Sequence, residues 1–168
     1  FVGTDLSRLT GELEKLIITL PKGQTRVTPE QLEHNIGISK DYNNFELIKA
    51  IANKDRAKAH RIVSYFDKNQ KNNPFVMTLY SFVYYFSNLV ECYWLPYKSE
   101  QNVMKELNLR NTFMTKDYMS GLRNYTVNEV MEIISLLRTF DARSKGIDNP
   151  PLTTHGDLLK ELVAKIMH

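Results

Sequence analysis

Hydrophobic residues recur at steps of three and four along most of the chain, which is the pattern of amphipathic helices. The first such stripe follows polar residues that can cap a helix and stops at Pro21. It consists of Leu6, Leu9, Leu13, Leu16, Ile17 and Leu20. A capping box with proline at the first helical position predicts a second, short helix over 28–36, and the polar residues 37–44 predict a linker.

The residues that follow the linker predict a helical hairpin. Asn43 and Asp55 stand where caps are expected. The first helix is predicted to bury Phe45, Ile48, Ile51 and Ala52, and the second to bury Ala59, Ile62, Val63 and Phe66.

A long aromatic helix is predicted between Pro74 and Pro96. One stripe of it is apolar, formed by Leu79, Phe82, Phe86, Leu89 and Tyr93. The opposite stripe is more polar, formed by Thr78, Ser81, Tyr85, Asn88 and Cys92. Its length approaches the roughly 20 residues that span a bilayer. The polar stripe and Glu91 favour a central core helix over a membrane span.

Four further helices complete an all-α prediction. Their expected caps are Ser99, Asn111, Thr126 and Thr154, and the last two begin capping-box patterns with Glu129 and Asp157. The third is predicted to bury Val130, Ile133, Ile134, Leu137 and Phe140. The fourth is predicted to bury Leu158, Leu159, Leu162, Val163 and Ile166. We find no convincing strand pattern in the sequence.

Composition narrows the class of protein without identifying its function. The 168 residues are 42% hydrophobic, which suits one large or two small globular domains. A net charge of +3 is too small to indicate nucleic acid by itself. The single cysteine, Cys92, lies in an apolar run and predicts a buried thiol in a reducing compartment, for which the cytoplasm is the simplest choice. Because the chain starts at Phe1 without a leader pattern, we interpret it as a fragment of a longer protein.

The sequence offers little that is typical of catalysis. The four histidines lie on separate predicted elements without other ligands at metal-binding spacing: His34, His60, His155 and His168. Phosphate-binding glycine motifs and a nucleophile elbow are also missing from the sequence. We therefore predict no catalytic residue, no cofactor and no metal.

Basic residues provide the candidates for nucleic-acid contact. Seven of them fall on the predicted hairpin: Lys49, Lys54, Arg56, Lys58, Arg61, Lys68 and Lys71. A second group flanks the Pro-Pro turn: Arg143, Lys145 and His155. Such residues can follow a phosphate backbone without reading bases. An ordinary solvated face is the alternative, and the lack of interleaved aromatics favours it.

Several segments, in order along the chain, resemble the delta subunit of the bacterial DNA polymerase III clamp loader. They are residues 5–16 (DLSRLTGELEKL), 27–30 (VTPE), 44–51 (NFELIKAI), 58–62 (KAHRI), 136–146 (LLRTFDARSKG) and 158–162 (LLKEL). Each motif is degenerate, but together they extend over essentially the whole chain.

This resemblance implies two helical domains and a role in DNA replication. Residues 1–38 would be the lid of an AAA+-like module, and residues 39–168 would be the helical collar that joins the subunits. The expected partners are the gamma/tau-like motor and delta-prime-like subunits, and primed DNA in the assembled complex. The sliding clamp would be bound by an N-terminal domain outside this chain. The parent protein would be a non-catalytic, cytoplasmic subunit of the polymerase holoenzyme, with no membrane contact.

The collar interpretation gives candidate interface residues on the long aromatic helix: Tyr84, Tyr85, Tyr93 and Trp94. Core packing is the alternative for each of them. The candidates that would face DNA are Lys49, Arg56, Lys58, Arg61, Arg143 and Lys145. Two other interpretations stay open: an unrelated helical adaptor or non-specific nucleic-acid-binding module, and a related loader subunit such as delta prime or the motor.

Overall fold

The computed structural model describes residues 42–109 and 112–168, of which 112 and 113 by backbone only, together with positions 10, 11, 14, 17 and 18. Contacts between Cα atoms divide the chain into two units, Phe1–Asn43 and Asn44–His168. Positions 10, 11, 14, 17 and 18 of the first unit belong to the first predicted helix, and they are helical. The predicted helix over 28–36, His34, the linker up to residue 41 and the Asn111 cap lie outside the described residues. The division into lid and collar stays a prediction.

The second unit is helical, and its described residues contain no strand, so the all-α prediction is confirmed for them. Its helices are α1 (Asn44–Ala52), α2 (Arg56–Lys68), α3 (Phe75–Tyr93), α4 (Glu100–Glu106), α5 (Thr112–Asn124), α6 (Val127–Ser144) and α7 (His155–Ile166).

Short polar side chains begin four of these helices, as their sequence predicts. The Asp55 carboxylate accepts a hydrogen bond from the Lys58 amide at the start of α2, and Ser99 caps α4 in the same way. Thr126 and Thr154 form complete capping boxes at α6 and α7. Each cap satisfies amide groups that the first helical turn leaves without a partner.

Helix α3 lies at the centre of the second unit. It packs most extensively against α6 and also contacts α1, α5 and α7. It buries most of both predicted stripes, whereas Ser81, Asn88 and Tyr93 are only half-buried. Its buried residues are Phe75, Thr78, Leu79, Phe82, Tyr85, Phe86, Leu89 and Cys92. The predicted core helix is therefore confirmed. The described helices include none that is both long enough and apolar enough to cross a membrane.

The prediction that Phe45 is buried is wrong, because 58% of its surface is exposed. The inward face of α1 consists of Leu47, Ala50, Ile51 and Ala52, and it packs against α2, α3 and α5. Leu47 and Ile51 are one helical turn apart, so burying them turns Phe45 away from the core. The aliphatic Leu47 occupies the position in the core that the sequence analysis gave to Phe45.

Tyrosine and asparagine side chains join helices that are distant in sequence. The Tyr125 hydroxyl donates a hydrogen bond of 2.9 Å to the carbonyl of Ile51, and the Asn124 amide donates one of 2.8 Å to the carbonyl of Ala52. Both bonds satisfy carbonyls at the C-terminal end of α1, where intrahelical partners run out. The end of α5 is thereby fastened to the end of α1.

Candidate functional site

Of the four candidate interface residues, Tyr85 lies in the core and is corrected. Only 3% of its surface is exposed, and its ring stacks on Tyr118 with 5.0 Å between centroids. Its hydroxyl donates a hydrogen bond of 3.0 Å to the carbonyl of Asp117 on α5. Burial raises the pKa of Tyr85 well above its usual value. The side chain joins α3 to α5 inside the unit and presents no surface to another protein.

Tyr93 is half-buried, and its hydroxyl is used inside the unit. It donates a hydrogen bond to the carbonyl of Tyr125, the last residue before the α6 cap. Partial burial raises its pKa. The polar end of Tyr93 therefore already has a partner within the fold.

Tyr84 and Trp94 are the two candidates that the structure exposes. Tyr84 is 49% exposed although it is the direct neighbour of the buried Tyr85. Trp94 is 79% exposed and follows the last residue of α3, where its amide donates to the carbonyl of Glu91. Exposed tyrosine and tryptophan side chains are typical of protein interfaces. These two residues keep the surface that an interface role requires.

The structure also exposes a set of apolar residues on α3, of which the sequence analysis identified only Tyr84. Five side chains lie on one side of the helix at steps of one, three or four residues: Val76, Met77, Tyr80, Val83 and Tyr84. We call this set the outer stripe. The spacing that could have revealed it is present in the sequence, but the apolar buried stripe has the same spacing and a similar composition. Apolarity alone therefore did not distinguish the outer stripe from the core.

Two candidate DNA-facing cations on α2 bind groups inside the unit. The Arg56 guanidinium donates hydrogen bonds of 3.0 and 2.7 Å to the carbonyl of Met167, which caps α7. Lys58 forms an ion pair with Glu46 of α1. An arginine at the C-terminal end of a helix also interacts favourably with the helix dipole. Both side chains therefore have structural partners, and phosphate would compete with those partners.

The second basic group is held in the same way. The Arg143 guanidinium lies 2.9 Å from a carboxylate oxygen of Glu161 on α7 and covers the ring of Phe140. The Lys145 ammonium lies 2.6 Å from a carboxylate oxygen of Asp141. Each forms an ion pair with a carboxylate, and Arg143 is mostly buried. The sequence analysis could not anticipate the partner of Arg143, because Glu161 lies on another helix.

Lys49 and Arg61, the remaining candidates for DNA contact, are exposed. Burial raises the pKa of the Asp117 carboxyl, and the nearby positive charge of Lys49 partly offsets this by favouring the charged carboxylate. Glu46 adds a second negative charge near the same carboxyl. The surface around Lys49 is thus of mixed sign, which is unfavourable for a site that attracts phosphate.

The described residues bring together no group of three or more metal-binding side chains. His60, His155 and His168 are exposed and lie on different parts of the unit. Cys92 is fully buried and unpaired, which confirms the predicted buried thiol. Burial raises its pKa to about 11, so the thiolate that reacts as a nucleophile is disfavoured at neutral pH.

An open cavity of about 380 Å³ lies between α4 and α5. Its lining mixes charged, amide and apolar side chains: Glu100, Gln101, Met104, Lys105, Asn108, Leu109 and Thr115. The Thr115 hydroxyl is buried without a hydrogen-bond partner. Among the described surfaces, the exposed aromatic residues are the better candidates for function, because aromatic side chains are typical of protein interfaces.

No protein-family profile matches this chain, and no curated protein or solved structure matches it.

Proposed function

We propose that this chain is the C-terminal part of a DNA polymerase III delta subunit and that its second unit is a collar that joins other clamp-loader subunits. In this role the collar holds the assembly together while the motor subunits hydrolyse ATP. The sliding clamp is bound by a domain outside this chain. The fragment carries out no reaction of its own.

The observation that carries this proposal is the series of segments resembling the delta subunit, which occur in the family's order along the chain. An all-α second unit is compatible with a collar. The exposed aromatic residues Tyr84 and Trp94 supply the kind of side chain that dominates binding at protein interfaces. We propose that these two residues contact neighbouring subunits, whereas Tyr85 is buried in the core and is no longer a candidate.

A nucleic-acid-binding module has less support than the collar. Four of the candidate cations have partners inside the unit: Arg56, Lys58, Arg143 and Lys145. Binding to a phosphate backbone would need cations that are free to displace the counterions of the nucleic acid. The other exposed cations of the hairpin would contribute a small, salt-sensitive affinity. They are Lys49, Arg61, Lys68 and Lys71. DNA contact in the assembled loader is therefore proposed as secondary to subunit contact.

Size-exclusion chromatography of the chain mixed with motor and delta-prime-like subunits tests the proposal. We expect a complex that contains all three proteins and that weakens when Trp94 is replaced by alanine. Arg61→Ala is the matched control, because Arg61 is exposed on a different helix and should not alter co-elution.

Two results would contradict the collar. The first is a chain that never co-elutes with the other subunits, whatever the concentration. The second is salt-sensitive DNA binding by the isolated chain that Lys49→Ala and Arg61→Ala abolish, which would favour the nucleic-acid-binding module.

A further inference from the structure

We propose that the outer stripe of α3 pairs two copies of this chain, with the two α3 helices antiparallel about a two-fold axis at Tyr80. The inference rests on the outer stripe alone. Because Tyr84 belongs both to this stripe and to the proposed subunit contact, a copy that is paired in this way cannot use Tyr84 to bind another subunit at the same time. A homodimer requires no other protein, so either proposal can fail without the other.

The positions of the outer stripe are symmetric about Tyr80. Val76 and Tyr84 lie four residues to either side of it, and Met77 and Val83 lie three to either side. A two-fold axis through Tyr80 therefore places Val76 opposite Tyr84 of the second copy, and Met77 opposite Val83. A two-fold interface requires such reciprocal pairing of one surface with itself.

The paired residues also fit one another in size. Val76, a small side chain, meets the large ring of Tyr84, while Met77 is flexible enough to adapt to Val83. Alternating small and large side chains let two helices approach closely. Tyr80, which is 67% exposed, lies at the centre, where a residue loses most contact with water on pairing.

Charge favours a second copy over a charged partner. Residues 75–90 include no charged side chain, so two α3 helices can approach without repulsion between like charges. The pairing needs no salt bridge, and its strength should depend little on ionic strength.

The area of the outer stripe agrees with a weak but specific dimer. Since aromatic side chains present about 150–250 Å² each, the exposed fractions of the five residues amount to roughly 500 Å² on one chain. Two copies would bury about 1,000 Å², which is the lower limit for a specific interface. The dimer should therefore form in a concentration-dependent manner.

Sedimentation velocity of the full 168-residue chain over a wide range of concentrations tests the proposal. The mass should rise from the 19.6 kDa of one chain toward twice that value. Tyr80→Lys places two like charges at the axis and should weaken dimerisation by roughly a hundredfold or more. Tyr97→Lys is the matched control, because Tyr97 is a tyrosine outside α3 that is 78% exposed, and its replacement should leave the mass unchanged.

Disulfide formation gives a second readout that does not depend on destabilising the dimer. Tyr80→Cys places one thiol from each copy at the axis, where mild oxidation should form a covalent dimer. Tyr97→Cys should not cross-link at the same concentration, and the buried Cys92 contributes no background.

A chain that stays monomeric at every concentration would overturn the proposal. It would also be overturned by a dimer that persists in Tyr80→Lys, since another surface would then form it. Equal cross-linking of Tyr80→Cys and Tyr97→Cys would likewise contradict an axis at Tyr80. Circular dichroism confirms that each variant keeps its helical content, so a loss of dimer is not mistaken for unfolding.

Discussion

The two sides of α3 have similar residues but very different surroundings. The inner side buries Phe82, Phe86 and Leu89 completely, whereas the outer stripe leaves aromatic and aliphatic side chains in water. The adjacent residues Tyr84 and Tyr85 show the contrast most clearly, at 49% and 3% exposed. Helical spacing groups residues by side, but contact with other helices decides which side is covered.

This contrast explains why a single helix can serve both folding and binding. The inner side contacts α1, α5, α6 and α7, so changes there should alter stability. The residues of the outer stripe are 42–67% exposed, so changes there should alter association with other molecules more than stability. The predictions that follow separate these two outcomes.

The largest effect is expected from truncating the centre of the inner side. Phe86→Ala should lower the free energy of unfolding by about 3–5 kcal/mol, because it removes a fully buried ring and leaves a cavity. Tyr84→Ala, on the outer stripe, should change it by less than about 0.5 kcal/mol under conditions where the chain is monomeric. Urea denaturation of both variants measures the difference, and equal losses would erase the distinction between the two sides.

A smaller loss is expected where α5 approaches the inner side most closely. A Cβ atom at Gly121 would collide with the Tyr85 hydroxyl and crowd Leu89, so Gly121→Ala should destabilise the chain by about 1–3 kcal/mol. Tyr85→Phe removes the hydroxyl and should recover part of that loss when combined with Gly121→Ala. A double-mutant cycle by thermal unfolding measures this coupling. Strictly additive effects would mean that the two residues do not touch.

Helix caps provide a scale of about 1 kcal/mol for comparison. Thr126→Ala removes the hydroxyl that accepts a hydrogen bond from the Glu129 amide at the start of α6. Loss of such a cap typically lowers the free energy of unfolding by about 1 kcal/mol. Thr126→Ser keeps the hydroxyl and should retain most of the stability. Denaturant midpoints compare the two variants, and identical destabilisation by serine and alanine would contradict the capping role.

The smallest effect is the pH dependence of the same cap. Hydrogen bonds from the Thr126 amide and hydroxyl lower the pKa of Glu129 in the folded chain. Its stabilising effect is therefore complete above the pKa of roughly 4.3 in the unfolded chain and is lost as the pH falls through the lower folded value. The stability of the natural chain relative to Glu129→Gln should shrink over that acidic range. A difference that grows on acidification would have the wrong sign.

The sequence predicted features that depend on neighbouring residues. Thr126 and Thr154 were identified as caps because each is followed three residues later by an acidic side chain, and both capping boxes form. The inward faces of α2 and α7 were also correct, since each has a single apolar stripe. In these cases the local sequence pattern was enough to predict the cap or the buried face.

Features that depend on distant residues were not predictable in this way. Arg56 binds the carbonyl of Met167, 111 positions along the chain, and no local pattern indicates that pair. Phe45 was assigned to the core because it lies at helical spacing from Ile48 and Ile51, although Leu47 is the residue that is buried. On α3, apolar residues on nearly every side left the covered and exposed stripes indistinguishable.

Hydroxyl-radical footprinting of α3 tests the central claim, that one side of this helix is core and the other is a free binding surface. At low protein concentration we predict strong oxidation of Met77, Tyr80 and Tyr84 and almost none of Tyr85 or Phe86, read by mass spectrometry of peptides. The neighbouring pair Tyr84 and Tyr85 provides an internal control, because both residues have the same chemistry. Oxidation of Tyr85 equal to that of Tyr84 would contradict the account.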